Sequence, residues 1–305
     1  MKSGDNMEFT HFNAEGLPKM VDVGDKEETE RVAIAYGKIT AKKETINLIR
    51  DGKIKKGDVL SVAQVAGIMA AKKTSDIIPM THNIFLTSVD MTFNYGEDFI
   101  EVYSKVKTTS STGVEIEALN SVTTALLTIY DMAKAVDRAM VIEDVKLIKK
   151  TGGKSGVFLR KIKGKVVSVN ISETKGVVKV PIDKGEFIEG FGLKDDAHAG
   201  KWHRQVSLLG VESIDKMKRE GLDDLQLGDF AENITTSGIL LYELPIGTKL
   251  KVGECELEVT QIGKKCHEGC AIKKKVGDCV MPREGIFARV LKGGVIKAGD
   301  DIEIM

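Results

Sequence analysis

The side chains that could do chemistry in this 305-residue sequence are lysines, carboxylates and a histidine at the ends of predicted helices and strands. Ammonium groups bind phosphates, and a carboxylate or imidazole beside them can accept or deliver a proton. A set of this composition predicts a site that holds a polyphosphate and moves protons. Its members are Lys56, Lys72, Lys73, His82, Glu115, Glu117, Asp131, Lys134, Lys150 and Lys154.

Several members of this set also have a structural interpretation. Asp131 and Lys134 are three positions apart, so they share a helix face and can form an ion pair in the core. Lys72 and Lys73 suit the negative end of a helix dipole. His82 follows an apolar Ile-Ile-Pro-Met segment, where a histidine is often structural.

The segment Lys150-Thr-Gly-Gly-Lys154-Ser is similar to a phosphate-binding P-loop but does not match it. The P-loop requires glycine five residues before Gly153, and Ile148 stands there. What the segment predicts is a basic, glycine-rich loop able to hold phosphates, with a solvated turn as the alternative.

One long helix, predicted from Thr112 to Lys134, organises these residues. Glu115 and Glu117 lie in its first turn, where carboxylates suit the positive end of the dipole. No charged residue stands between Glu117 and Asp131, so we expect a helix that is apolar nearly all round and buried.

The elements around this helix predict an α+β domain followed by a mainly β domain. Asp58 is a predicted N-cap. After about Lys161 short β runs dominate, and Gly293-Gly294 and Ala298-Gly299 are predicted hairpin turns. The other predicted segments are helices at 42–51, 59–73 and 211–219, strands at 84–92, 99–108 and 141–148, and a linker at 158–163.

Composition narrows the function classes. Charged residues make up 30% of the chain, apolar residues 42%, and the formal net charge is zero. This balance argues against a general binder of nucleic acid or anionic membranes. The sequence lacks an apolar run long enough for a membrane span and an apolar N-terminal signal core, so we expect a cytoplasmic protein. Its cysteines are then expected to be reduced thiols.

The motifs of the first half resemble the MoaC family, the cyclic pyranopterin monophosphate synthases of molybdenum cofactor biosynthesis. The resemblance covers roughly residues 8–158 and implies a ferredoxin-like fold and a homohexamer built as a trimer of dimers. It implies a GTP-derived 3′,8-cyclo-dihydro nucleotide as substrate, with pyrophosphate released and no cofactor required. The motifs are Ala66-Gly-Ile-Met-Ala-Ala-Lys-Lys-Thr, Asp76-Ile-Ile-Pro, Gly113-Val-Glu-Ile-Glu-Ala-Leu, Leu127-Thr-Ile-Tyr-Asp-Met and Lys150-Thr-Gly-Gly-Lys-Ser-Gly.

Carried over residue by residue, the resemblance implies that Asp131 is the acid/base carboxylate and that Lys56 and Lys134 are catalytic lysines. It implies substrate contacts from Met80, Thr81, His82, Ile116 and Glu117. By charge and position, we add Lys72, Lys73, Glu115, Lys150 and Lys154 to the predicted substrate-binding residues.

The sequence departs from the family pattern at Thr81 and Asn83, where the family usually has Cys and Pro, and at Ile116, where it usually has Met. Losing Pro frees the loop after His82. Thr81 and Asn83 motivate an alternative function, a non-catalytic carrier or scaffold. The intact Lys56, Asp131 and Lys134 favour catalysis.

The second half resembles the MOSC domain, the C-terminal domain type of molybdenum cofactor sulfurases, over roughly residues 163–305. This implies a β-barrel that binds molybdenum cofactor, and thus molybdenum, or carries sulfur on Cys266 or Cys270, where nearby lysines favour a thiolate. The motifs are Gly228-Asp-Phe-Ala-Glu-Asn-Ile-Thr-Thr-Ser-Gly, Leu244-Pro-Ile-Gly-Thr, Gly263-Lys-Lys-Cys266 and Gly299-Asp.

A zinc site at Cys266, His267, Cys270 and Cys279 is the alternative, although the spacing is not that of a standard zinc pair, and no metal is predicted. Cys255 is predicted to be a structural thiol. Pyridoxal phosphate, nucleic acid and membrane partners are not expected. The predicted domain limits are residues 1–158 and 163–305.

Overall fold

A computed structural model of the chain describes residues 15–219, 221–265 and 279–305. The chain divides into two compact units between Arg160 and Lys161. Within these described ranges, no helix combines the length and apolar character needed to cross a membrane.

The first unit is a ferredoxin-like α+β fold, as predicted, in which two strand–helix–strand segments interlock. Its sheet is antiparallel with strand order β2-β3-β1-β4-β5, so β1 is the central strand, between β3 and β4. In chain order the elements are β1 (Thr29–Thr40), α1 (Lys43–Arg50), α2 (Val59–Lys72), α3 (Thr74–Ile77), β2 (Leu86–Tyr95), β3 (Phe99–Ser110), α4 (Glu115–Ala133), β4 (Val141–Thr151) and β5 (Phe158–Leu159).

Helices α2 and α4 pack against one face of this sheet, and glycines allow the close approach. A Cβ on Gly37 in β1 would lie 2.6 Å from Leu126 in α4. A Cβ on Gly67 in α2 would lie 2.9 Å from the carbonyl oxygen of Ser121. Because both distances are shorter than ordinary contacts, side chains at these positions would push the layers apart.

The predicted N-cap of α2 is observed, whereas the predicted burial of α4 is not. Asp58 caps α2, because its carboxylate accepts a hydrogen bond from the Ser61 N–H at 3.1 Å. Helix α4 was expected to be buried nearly all round, and this was wrong. Ile116 is 40% exposed and Leu127 is 54% exposed, because no element of the described first unit covers this face.

The second unit is a closed β-barrel with a small additional sheet, which confirms the mainly β prediction. Seven strands join in the order β11-β10-β14-β13-β12-β16-β6, and β6 pairs with β11 to close the ring. The elements are β6 (Lys163–Ile171), β7 (Val180–Ile182), β8 (Lys184–Ile188), β9 (Gly192–Leu193), β10 (Val206–Gly210), α5 (Val211–Arg219), β11 (Ile234–Ser237), a 3-10 turn (Leu241–Glu243), β12 (Lys249–Val252), β13 (Cys255–Ile262), α6 (Met281–Glu284), β14 (Ile286–Lys292), β15 (Gly294–Lys297) and β16 (Asp301–Ile304).

The two predicted hairpin turns near the end of the chain have a different role. Strand β15 pairs with β8 in the small sheet rather than with β14 or β16. Gly293-Gly294 and Ala298-Gly299 therefore move the chain out of the barrel and back. A Cβ on Gly293 would lie 2.6 Å from the Phe187 carbonyl oxygen, so glycine is needed for this crossing.

Candidate functional site

The start of α4 forms one wall of a cleft of about 440 Å³, which we call the histidine cleft. It contains most of the predicted substrate-contact residues from two separate stretches of the chain. Its lining is Val21, Val23, Lys26, Met80, Thr81, His82, Ile84, Thr112, Gly113, Glu115, Ile116 and Glu117.

His82 is fixed in this cleft by one of its ring nitrogens. Nε2 lies 2.8 Å from the carbonyl oxygen of Val21, and since a carbonyl only accepts, Nε2 carries the proton. This bond orients the ring and leaves Nδ1 for other contacts. The hydroxyl proton of Thr81 is already used in its own turn, because it is donated to the Ile78 carbonyl oxygen at 2.8 Å.

Glu117 is the buried carboxyl of the histidine cleft, with only 3% of the residue exposed. Burial raises the pKa of Glu117 to about 7, and the neighbouring Glu115 adds to the rise. A carboxyl with this pKa is suited to both giving and taking a proton near neutral pH.

A second cleft, of about 820 Å³, adjoins the first one and is lined by four cationic side chains and three carboxylates; we call it the basic cleft. The two clefts share Lys26, Thr112, Gly113 and Glu115. Lys150 links them, since its ammonium lies 3.2 Å from the Glu115 carboxylate. The remaining lining of the basic cleft is Asp25, Glu27, Thr29, Arg31, Val32, Ser111, Val114, Thr151, Gly152, Gly153, Lys154 and Ser155.

The Arg31 guanidinium packs against the Gly152-Gly153 turn, at a distance that leaves no room for a side chain on Gly153. Both glycines have positive φ angles, +91° and +72°, which favour glycine. A Cβ on Gly153 would lie 2.1 Å from Arg31 Nη1. Arg31 donates to the carbonyl oxygens of Ser110 at 2.8 Å and Ser111 at 3.0 Å, which holds its guanidinium at the cleft.

The three predicted catalytic residues form a cluster at the other end of α4. The Asp131 carboxylate lies 3.0 Å from Lys56 Nζ and 2.6 Å from Lys134 Nζ. Lys56 also donates to the Asp131 carbonyl oxygen at 2.8 Å. Hydrogen bonds from Lys134 and Lys56 hold the pKa of Asp131 below its usual range, so this carboxylate is ionised at neutral pH.

The ion pair between Asp131 and Lys134 forms, but at the surface and not in the core, where the spacing would also have allowed it. The two side chains are 58% and 51% exposed. Lys56 reaches them because α2 and α4 run antiparallel. At the opposite end of these two helices, the side-chain amide of Asn120 in α4 donates to the Ala70 carbonyl oxygen of α2 at 2.9 Å.

Lys72 and Lys73 follow Ala70 at this end of α2, where both are exposed. In the described chain they line neither cleft. The structure therefore places eight of the ten predicted substrate-binding residues along two adjoining clefts, and the three predicted catalytic residues elsewhere.

Sequence reasoning missed Lys26 and Arg31. Arg31 had a usable signal, because this cation directly precedes the apolar run Val32-Ala-Ile-Ala of β1. Lys26 lies among Asp25, Glu27 and Glu28, and nothing in that stretch distinguishes it.

In the second unit, the predicted sulfur- or cofactor-handling thiols, Cys266 and Cys270, lie outside the described residues, as does His267. Cys279 is buried. Cys255 is buried as well, and burial raises the pKa of its thiol to about 12, which fits a structural role. No group of metal-ligating side chains is present in the described ranges.

Sequence comparisons assign the two halves separately. The MoaC family model matches residues 20–153 and the MOSC domain model matches residues 195–303. A cyclic pyranopterin monophosphate synthase of Peptoclostridium acidaminophilum is 60% identical over 154 residues, which is 50% of this chain and 98% of that protein. One from Thermoanaerobacter sp. (strain X514) is 56% identical over 158 residues, covering 51% and 100%.

Solved structures similar to the chain include the YUAD protein from Bacillus subtilis, with a TM-score of 0.41 and 20% identity over 48% of this chain and 97% of that one. YiiM from Escherichia coli has a TM-score of 0.37 and 17% identity over 47% and 70%. On the sequence matches, the chain belongs to the MoaC family through its first half and carries a MOSC domain in its second half.

Proposed function

We propose that the first half of the chain is a cyclic pyranopterin monophosphate synthase, a lyase of molybdenum cofactor biosynthesis that needs no cofactor. Its substrate would be the GTP-derived 3′,8-cyclo-dihydro nucleotide triphosphate, and pyrophosphate would be released. The observation that carries the proposal is that the basic cleft adjoins a cleft with a buried carboxyl whose pKa is raised to about 7, in the half of the chain that is 60% identical over 154 residues to one synthase of that name.

The basic cleft suits the triphosphate. Lys26, Arg31, Lys150 and Lys154 provide cations there, and expulsion of pyrophosphate needs its developing charge to be stabilised. Glu115 lies beside Lys150 and lines both clefts, so it stands where the phosphate chain would meet the ring system.

The histidine cleft suits the ring system. His82 offers a fixed imidazole, and the Glu117 carboxyl exchanges its proton near neutral pH. The Lys56–Asp131–Lys134 cluster supplies the second proton-transfer group, in which an ammonium can deliver a proton and the carboxylate can accept one.

These two groups cannot serve one substrate within a single chain. Glu117 and Asp131 are fourteen residues apart on α4, which corresponds to about 21 Å of helix. We propose that a second copy of the chain packs its α4 antiparallel across a two-fold axis, so that Asp131 of one copy lies beside Glu117 of the other.

The outer faces of the two helices support a second copy as the occupant. On α4, Ile116 and Leu127 are exposed and share a face with Lys134, since eleven and eighteen residues are close to whole numbers of turns. On α2, the exposed side chains recur at helical spacing; they are Val62, Val65 and Met69, exposed by 46%, 63% and 45%. An apolar surface running between two half-sites is expected at an interface. The homohexamer, a trimer of dimers, is proposed on the family resemblance.

For the second half, a molybdenum cofactor or sulfur-handling module is proposed, with Cys266 or Cys270 as the reactive thiol and molybdenum binding through the cofactor. The MOSC match supports this at the level of the domain type. The domain limits, 1–158 and 163–305, and a cytoplasmic location are proposed from the sequence.

The test is to incubate the full chain with the cyclised GTP intermediate and to measure product mass and released pyrophosphate. The mass of cyclic pyranopterin monophosphate, with one pyrophosphate per product, is the expected result. Binding of the intermediate without either product would favour the non-catalytic carrier instead.

A further inference from the structure

The turn after α4 contains a buried carboxylate that lines neither cleft and lies outside the predicted catalytic cluster. This residue, Asp137, is 2% exposed. One of its carboxylate oxygens accepts hydrogen bonds from the Lys42 backbone N–H at 2.9 Å and from the Thr45 hydroxyl at 3.3 Å. The other accepts from the Ala139 N–H at 3.0 Å. A charge is costly to bury, and these donors offset that cost.

Asp137 caps the start of α1 from a distant part of the chain. Lys42 occupies the N-cap position of α1, and a lysine side chain has no acceptor with which to cap the helix itself. The carboxylate that takes this role lies 95 residues further along the chain. The hydrogen bond from the Lys42 N–H is the main reason why the pKa of Asp137 lies below its usual range. The cap is therefore ionised at neutral pH, and its charge suits the positive end of the helix dipole.

The turn that carries Asp137 is itself fixed to the last turn of α4. The Asp137 N–H donates to the Ala133 carbonyl oxygen at 3.1 Å. The Tyr130 hydroxyl donates to the Arg138 carbonyl oxygen at 3.2 Å. Asp131 belongs to the same end of α4, so the position of the Asp137 carboxylate is fixed relative to that of Asp131.

The other end of α1 leads to Lys56. The helix is followed by Gly52, which has a φ of +65° and donates its N–H to the Ile49 carbonyl oxygen at 3.1 Å. Ile54 is 6% exposed and anchors the chain in the core of the first unit. Two residues later, Lys56 reaches back to α4 and contacts Asp131 at 3.0 Å.

These contacts form a closed cycle. It runs from Asp131 to Asp137, across the hydrogen bond to Lys42, along α1 to Lys56, and back to Asp131. The Lys56 side chain is 46% exposed, so packing alone does not fix its ammonium. Loss of the Asp137 carboxylate would release the start of α1 and let the segment with Lys56 shift relative to Asp131.

We propose that Asp137 is a positioning residue, which holds the Lys56 ammonium against Asp131 by capping α1. The inference rests on the function proposed for the first half, in which the Lys56–Asp131–Lys134 cluster transfers a proton. A displacement of about 1 Å in an active site can lower a rate by about a hundredfold. Because Asp137 lines neither cleft, it should influence the chemical step and not substrate binding.

The first measurement compares the kinetics of Asp137→Ala and the wild type, both as full chains. We expect kcat to fall at least about tenfold while KM stays within about twofold. Ser104→Ala is the matched control, because it removes a buried hydrogen bond of 2.9 Å to Ser121 that lies outside the cycle. It should keep the wild-type kcat.

The second measurement follows Lys56 directly and does not need turnover. Brief treatment with acetic anhydride, followed by peptide mass spectrometry, gives the acetylation rate of each lysine. The neutral amine is the reactive form, and contact with a carboxylate favours the ammonium. Asp137→Ala should therefore raise the rate at Lys56 at least about threefold. Lys146, which pairs with Asp144 at 2.6 Å, should react as it does in the wild type.

If Asp137→Ala does not fold, Asp137→Asn takes its place, because the amide keeps one acceptor and loses the charge. A fall in kcat of at least about threefold is then expected. Wild-type kcat or wild-type Lys56 reactivity in the folded variant would overturn the positioning role. A wild-type chain that makes no pterin would instead refute the proposed function, and the acetylation rates would still decide whether Asp137 holds Lys56.

Discussion

Glu117 and Asp131 stand on one helix in opposite environments. The Glu117 residue is 3% exposed and its pKa is raised to about 7, whereas the Asp131 side chain is 58% exposed and paired with two lysines that lower its pKa. Carboxyl groups whose environments separate their pKa values in this way are suited to different proton-transfer roles.

Replacing Asp131 by Asn tests the predicted catalytic role of the Lys56–Asp131–Lys134 cluster. The amide keeps the size of the side chain but cannot accept a proton, so we expect pterin formation to fall by roughly a hundredfold or more with the fold retained. Product formation is measured by chromatography and folding by circular dichroism. Asp144→Asn is the matched control, because Asp144 pairs with Lys146 at 2.6 Å outside both clefts. Wild-type turnover in Asp131→Asn would contradict the acid/base role predicted for Asp131.

The raised pKa of Glu117 predicts a pH-dependent stability. The folded pKa, about 7, exceeds the ordinary 4.5, so the folded state binds the proton more tightly. This contribution is complete below about pH 4.5 and is lost as the pH rises to about 7, at a cost of about 3 kcal/mol.

Glu117→Gln should therefore remove most of this slope. Urea unfolding at pH 5 and pH 8, at one protein concentration, measures the difference. Glu143→Gln, which removes a surface carboxylate 3.0 Å from Lys38, should keep the wild-type slope. An unchanged slope in Glu117→Gln would show that the Glu117 carboxyl does not bind this proton.

Mixing two inactive proteins tests the site between copies. Glu117→Ala and Asp131→Asn damage opposite half-sites, so a mixed dimer keeps one intact site. After subunit exchange, which labelled subunits verify, we expect recovery of about a quarter of wild-type activity, since half of random dimers are mixed. Asp131→Asn mixed with Lys134→Ala is the control without recovery, because both residues belong to one half-site. No recovery in the first mixture, despite exchange, would mean that each chain carries a complete site.

Cys266→Ser tests the sulfur hypothesis for the second half. We expect it to abolish a persulfide on this domain while pterin synthesis continues, as the two activities belong to separate units. Mass spectrometry of the full chain is the measurement, and Cys255→Ala, at a buried thiol, should keep the persulfide. Zinc bound stoichiometrically and lost with Cys266 would favour the metal site instead.

The elements of the first unit could be predicted because local signals and tertiary packing agree there. The N-cap at Asp58 and the apolar strands define their own limits. The order of strands followed from the family resemblance rather than from these signals. Local sequence was not sufficient at Gly293-Gly294. It indicates a turn there, but it does not indicate which strand the chain pairs with after the turn.

Most residues of the candidate site could be predicted from the sequence, but their arrangement could not. Local sequence indicates that Glu117 and Asp131 are unusual on an apolar helix, yet it suggested burial for Asp131. Burial depends on what packs against each turn. At the last turn of α4 the neighbour is the loop carrying Lys56, which leaves Asp131 in solvent. Arg31 was missed because its contribution to the basic cleft depends on a glycine turn more than a hundred residues away.

Closure of the barrel through β6 has a consequence for synthesis on the ribosome. Strand β6 pairs with β16, so Lys165 must meet Asp301 before the ring is complete. Pairings between such distant parts of a chain form slowly, because a long loop has to be closed first. The sheet of the first unit needs nothing beyond Leu159, so it can form while the barrel strands are still being translated. The dimer proposed through α2 and α4 therefore does not require the second halves of the chains to have folded.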